Sequence, residues 1–206
     1  MRKAGIFFII LGTALLLAAL ALFAFNQRED TTAQEAVAEV IPQLVDRIRE
    51  QTAQEETIPE PELQIPVELL TEEDVQMPEM EVDGNGYIGY LSLPVLGLEL
   101  PVLADWSYPK LNIAPCRYTG SVRGEDLVIM AHNYRSHFGN LNRLSVADTV
   151  MLTDINGRTI TYEVVGKDIL EPTAVEEMTS GDFDLTLFTC TYGGRSRVTV
   201  YCDKAE

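Results

Sequence analysis

Five side chains in this 206-residue chain are candidates for covalent catalysis as nucleophile or proton carrier: Cys116, Cys190, Cys202, His132 and His137. A thiol attacks as its thiolate, which a neighbouring cation or base favours, and an imidazole moves protons near neutral pH. Cys190 closes the strand-like run Leu185-Thr186-Leu187-Phe188-Thr189, and Arg195 and Arg197 follow within seven residues. Cys116 has only Arg117 beside it, and Cys202 ends the apolar run 198–202, which reads as packing. His132 ends the apolar run Leu127-Val128-Ile129-Met130-Ala131, so a strand delivers its imidazole to a strand end, where loops carry function. His137, five residues on in a polar loop, has no such delivery. The bland alternatives are a hidden, inert thiol at 190 and an ordinary hydrogen-bonded histidine at 132. Three cysteines permit one disulfide at most and leave one thiol over. No CxxC or HxxxH pair is present, so zinc is a poor reading, and no loop has EF-hand spacing. No cofactor is called for; the many carboxylates leave weak calcium binding open without indicating it.

The elements that must position these groups begin near Tyr87. Short runs of β type cover residues 87–93, 98–103, 126–131, 149–153, 159–169, 186–189 and 197–202, separated by turn residues. Helical content is small, at 140–144 and 175–178. Many short strands at close spacing predict a mainly β fold, a closed or nearly closed barrel. Asn156-Gly157 predicts a type I′ hairpin, which needs positive φ at both central positions. Gly193-Gly194 predicts a two-residue turn whose register sets Cys190 opposite Arg197, Thr189 opposite Val198 and Tyr192 opposite Arg195.

Before this domain the composition is different. Residues 4–25 are uncharged and apolar, long enough to cross a hydrocarbon core of about 30 Å as a helix. Arg2 and Lys3 keep that end cytoplasmic and put the rest of the chain outside the membrane. A cleaved secretory signal is the competing reading; its apolar part would be shorter. Residues 27–86 carry 17 acidic and 3 basic side chains, most of the formal net charge of −17. Val37, Val40, Ile41, Leu44, Val45 and Ile48 recur at helical spacing, with Pro42 predicting a break or kink. Four prolines among carboxylates predict an extended spacer over 57–83. The division is therefore 1–26 a transmembrane anchor, 27–86 an acidic helical and Pro-containing stalk, and 87–206 the catalytic domain. The acidity argues against a nucleic-acid partner, because phosphate is held by Lys and Arg.

Leu185-Thr186-Leu187-Phe188-Thr189-Cys190, with Ser196-Arg197-Val198 after it, resembles the TLxTC signature and downstream arginine of the sortase family. His132-Asn133, followed by His137-Phe138-Gly139-Asn140-Leu141, is similar to the family's histidine region. The resemblance implies a sortase-type β-barrel, preceded by a transmembrane helix and stalk, that acts as a cysteine transpeptidase. Its thiol would cleave a sorting-signal peptide, Leu-Pro-X-Thr-Gly in many members, through a thioacyl enzyme. The acyl group would then pass to an amine of a cell-wall precursor or another surface protein. Carried over, Cys190 is the nucleophile, His132 the acid/base and Arg197 the group at the developing negative charge. The partners implied are sorting-signal-bearing surface proteins, an amine acceptor and the cell membrane. No second apolar span follows Cys202, and the stalk has no Asp-Pro-aromatic motif, which favours a class B-like or D-like role over pilus building. Two other functions fit the same residues. One is a thiol endopeptidase, with water resolving the acyl enzyme. The other is an anchored binding domain in which Cys116 and Cys202 bridge and Cys190 is inert.

Overall fold

The computed structural model describes residues 2–55 and 77–205. A 54-residue helix, α1 (Arg2–Glu55), leads into β1 (Met80–Val82), β2 (Asn85–Leu93), β3 (Leu98–Leu103) and the short α2 (Tyr108–Leu111). β4 (Cys116–Thr119), β5 (Leu127–Ala131), β6 (Thr149–Asp154) and β7 (Thr159–Leu170) follow. α3 (Val175–Met178), β8 (Leu185–Cys190) and β9 (Arg197–Lys204) complete the chain.

The strands lie in the order β1-β2-β3-β4-β5-β8-β9-β7-β6, and β2 also pairs with β6, so eight strands close into a barrel with β1 added at β2. Closure depends on a close backbone approach at Gly89, which sits at φ 142°. A Cβ there would lie 2.0 Å from the Thr153 carbonyl oxygen, so only glycine fits the seam. Alternation then divides each strand: Leu127, Ile129, Leu185, Leu187, Val198, Val200 and Cys202 point into the barrel.

The strands expected from the sequence are all present. Two short ones, β1 and β4, were not expected, nor was α2. The hairpin at Asn156-Gly157 differs in detail. The Gly157 N–H donates to the Asp154 carbonyl at 3.0 Å, and the Asp154 N–H donates to that of Arg158 at 3.0 Å. Only the glycine has positive φ, at 77°. This is a three-residue loop with glycine in the left-handed position, not a type I′ turn. The Asp154 carboxylate explains the choice, since Oδ1 accepts the N–H groups of Asn156 and Arg158 at 2.9 and 3.0 Å.

α1 departs most from expectation. It is continuous across Pro42, where a break or kink was expected. Packing on both sides of the proline outweighs the one lost backbone bond. Ala33, Val40, Leu44 and Ile48 are buried, and the last three join Val82, Tyr87, Leu103, Leu111, Ala114 and Cys116 in one apolar cluster. Polar contacts flank the stripe. Arg47 Nη1 donates to the Glu81 carbonyl at 2.6 Å and Gln43 Nε2 to Asp83 Oδ2 at 3.2 Å. The helical part of the expected stalk therefore lies on the barrel. The Pro-containing spacer falls largely outside the described residues; its end, from buried Met77 to β1, belongs to the folded body. By contrast the side chains of residues 6–25 are exposed, and this stretch is apolar and long enough to cross a membrane.

Candidate active site

The three groups singled out from the sequence meet at one end of the barrel. β5 and β8 run parallel, with Ala131 paired to Thr189, so His132 and Cys190 leave adjacent strands at the same level. The Thr189 hydroxyl, buried, donates to the Ala131 carbonyl at 2.8 Å and fixes that level. β8 and β9 are antiparallel, with Cys190 paired to Arg197 and Thr189 to Val198. Opposed residues share a face with Cβ atoms about 4.5 to 5.5 Å apart, which puts the guanidinium within reach of the thiol.

The expected register is thus present, although the turn that closes it is not the two-residue one. The Thr191 N–H donates to the Ser196 carbonyl at 2.9 Å, and the Gly194 N–H to that of Thr191 at 2.9 Å. The loop proper is Tyr192 to Arg195, so Tyr192 and Arg195 are not a ladder pair. Side chains explain the longer loop. Thr191 Oγ1 accepts the Ser196 N–H at 3.1 Å and lies 3.0 Å from the Ser196 hydroxyl, clamping the loop at its base. Arg197 Nη1 donates to the carbonyls of Gly194 and Ser196, each at 3.2 Å, which holds the arginine against the loop.

The other candidates are separated from this end or closed off. Cys116, Cys190 and Cys202 are all free thiols, so the structure has no Cys116–Cys202 bridge. Burial pushes the Cys116 and Cys202 thiols up to about 12, which keeps them protonated, whereas Cys190 is partly exposed. His137 is fully buried, and burial, with the neighbouring His132, pushes its pKa down to about 4. Burial also lowers His132, against an opposing pull from Glu29, so the imidazole is largely neutral at pH 7.

The loop after His132 is bonded to itself through its backbone. The Phe138 N–H donates to the His132 carbonyl at 3.1 Å, and the N–H groups of His137 and Gly139 to the Tyr134 carbonyl at 3.0 and 2.8 Å. The Tyr134 ring lies 4.9 Å from that of His132 and 5.6 Å from that of His137, between centroids. Sequence reasoning missed the groups that α1 brings here. A cleft of about 590 Å³ separates Phe23, Glu29 and Asp30 of α1 from Tyr134, Arg135 and Tyr192. Alternation places Phe188 on the same face of β8 as Cys190, and it packs with Val128, Met130, Tyr118 and Met178. A small apolar cluster therefore lies beside the thiol on the outside of the barrel.

A thiol, an imidazole and a guanidinium at one end of a β-barrel are the groups that covalent acyl transfer calls for. A sortase-domain family model matches residues 91–205, more than half of the chain. The chain belongs to the sortase family and is an enzyme of the cysteine transpeptidase class. Its fold is similar to that of a Clostridium perfringens sortase D5 transpeptidase, with TM-score 0.57 and 15% identity over 85% of this chain and 99% of that one. It is also similar to sortase C from Clostridium perfringens SM101, with TM-score 0.51 and 21% identity over 82% of this chain and 90% of that one. For sortase A from Corynebacterium diphtheriae the TM-score is 0.54 at 22% identity, over 59% of this chain and 62% of that one. At these identities the likenesses speak for the fold. No curated protein sequence matches the chain.

Proposed function

We propose that the chain is a membrane-anchored transpeptidase in which Cys190, His132 and Arg197 carry out two successive acyl transfers on a sorting-signal peptide. The observation that carries the reading is the pairing of Ala131 with Thr189 and of Cys190 with Arg197, which gathers the three groups at one barrel end. Cys190 gives its thiol proton to His132 and its Sγ attacks the scissile carbonyl carbon, and the negative charge that develops on the carbonyl oxygen faces Arg197. The C–N bond breaks as His132 delivers a proton to the leaving amine. An incoming amine then attacks the thioacyl carbon and gives a proton to His132, and the C–S bond breaks to return the thiolate. The sorting peptide reaches the thiol from the outer face of β8, which Cys190 shares with Phe188.

The reading requires no cofactor. Its partners are surface proteins bearing a sorting signal and an amine of a cell-wall precursor or another surface protein. Residues 4–25 hold the enzyme in the cell membrane, with Arg2 and Lys3 on the cytoplasmic side and the barrel outside.

The test incubates the full-length protein in detergent with a library of sorting peptides, with and without an added amine nucleophile, and measures enzyme and products by mass. A thioacyl adduct on Cys190 and a joined peptide–amine product are expected. Hydrolysed peptide alone, with the amine ignored, would make the protein a thiol endopeptidase. Absence of an adduct with every peptide would remove the catalytic reading.

A further inference from the structure

One contact ties the N-terminal helix to the catalytic end of the barrel, and the chemistry above does not use it. The Asp30 carboxylate on α1 accepts the Ser136 N–H at 3.0 Å through Oδ1. The same Oδ1 lies 2.9 Å from the Ser136 hydroxyl, which also lies 3.2 Å from the Asp30 carbonyl; its single proton serves one or the other. A carboxylate that accepts a backbone N–H and a hydroxyl at once forms charge-assisted bonds, stronger than neutral ones. The two residues are 106 positions apart, so helix docking alone brings them together.

Ser136 occupies the apex of the loop that starts at His132. The far side of that loop is fixed by the buried Phe138 and His137. Gly139 is fixed too, since a Cβ there would lie 2.5 Å from the Asn133 carbonyl oxygen. The near side carries Tyr134, whose ring lies against the His132 imidazole. Among the described residues its hydrogen bonds outside the loop's own backbone bonds are a Tyr134 hydroxyl to Asn112 Oδ1 contact at 3.2 Å and the Asp30 grip. That Glu29, next to Asp30, acts on the charge of His132 places this turn of α1 near the imidazole.

We infer that Asp30 is a positioning residue for His132: through Ser136 it holds the 132–140 loop from α1, so that the imidazole is presented to Cys190 while α1 stays docked. The inference rests on the proposed roles of His132 and Cys190. It makes the helix that emerges from the apolar span a working part of the active site, because its grip acts on proton transfer and not on peptide binding.

The experiment uses the full-length protein in detergent with a sorting peptide and amine that the wild type joins. Asp30→Ala is expected to lower kcat about ten- to a hundredfold, the scale on which a misplaced catalytic group is felt, with KM for the peptide little changed. Asp30→Asn keeps an oxygen acceptor and is expected to recover most of the loss. The double variant Asp30→Ala/Ser136→Ala is expected to be no slower than Asp30→Ala alone. An unchanged kcat in Asp30→Ala, a loss that Asn does not relieve, or additive losses would each overturn the inference. If Asp30→Ala does not fold, Ser136→Ala decides: a lower kcat at unchanged Tm supports the grip and an unchanged kcat overturns it. Hydrogen exchange supplies a readout independent of turnover. If the wild type forms no acyl enzyme, the proposed function has failed, yet faster exchange of the 134–139 amides in Asp30→Ala still supports the grip and unchanged exchange overturns it.

Discussion

Cys116, Cys190 and Cys202 share one functional group and differ only in what surrounds them. Cys116 lies under α1 and α2 and Cys202 inside the barrel, both fully buried with thiols pushed up to about 12. Iodoacetamide at neutral pH is therefore expected to modify Cys190 in the native protein and the other two only after unfolding, as mapped by peptide mass; early labelling of Cys116 or Cys202 would contradict that burial. The histidines differ in the same way. His132→Ala is expected to reduce turnover about a hundredfold or more with little change in Tm, as an acid/base role demands. His137→Ala is expected to lower Tm first, because it leaves a hole beside Phe138. His137 also makes stability depend on pH. Between about 6.5 and 4 the unfolded chain binds a proton there that the folded protein refuses, so stability rises with pH across that window and is lost as pH falls. His137→Gln should flatten the plot of Tm against pH between those limits, with His132 leaving a residual slope of the same sign. Cys190, His132 and Arg197 were singled out by their strand-end positions together with the sortase resemblance, and the strand pairings bring them to one barrel end. Asp30 was not, since nothing local to a helix of carboxylates tells which of them meets a serine 106 residues on.

At the scale of elements, the periodic apolar stripe on α1 was readable as an amphipathic face, while the surface that receives it was not. That surface is assembled from β1, β2, β3, α2 and β4, three of which are too short to leave a pattern of their own. The stripe explains why the helix is part of the folded body. Leu44 is fully buried between Val82, Tyr87 and Leu103, so Leu44→Ala should cost about 2 to 5 kcal/mol, whereas Ala38→Ser on the exposed face should cost little. Urea unfolding of the two variants measures the difference; equal stabilities would mean that α1 does not dock in solution. The same burial implies that a chain beginning at Tyr87 exposes Leu103, Ala114 and Cys116 and loses β1. It should unfold at lower temperature and less cooperatively than a chain beginning at Gln27. The longer strands were legible from alternation and turn residues. The two turn types were misread because Asp154 and Thr191 bond to backbone groups across their loops, and such side-chain bonds lengthen a turn whatever its glycines favour.

For the molecule as a whole, one helix joins the apolar span to the barrel end that carries Cys190, His132 and Arg197, and under the proposed anchoring its geometry sets how far that end stands from the bilayer. Phe25 ends the uncharged stretch and Asp30 already grips the histidine loop, five residues or about 7.5 Å of helix later. In the proposed anchored arrangement a flexible stalk would hold the barrel at variable height, whereas a continuous docked helix would hold the Cys190 end at the level of the lipid headgroups. The cleft between α1 and the active-site loops is lined by Phe23, within the span, and by Tyr192, which is 85% exposed in the loop between Cys190 and Arg197. Aromatic rings with a polar tip favour the membrane interface, so Tyr192 suits the place this geometry gives it. Fluorescence tests the arrangement in the full-length protein reconstituted in vesicles. With Trp106→Phe removing the one native tryptophan, Tyr192→Trp puts a single indole at the loop. Lipids carrying a spin label at the headgroup are expected to quench its emission strongly, and lipids labelled deep in the acyl chains much less. No quenching by either would place the loop well clear of the membrane, and the helix would then have to bend or undock between Phe25 and Asp30.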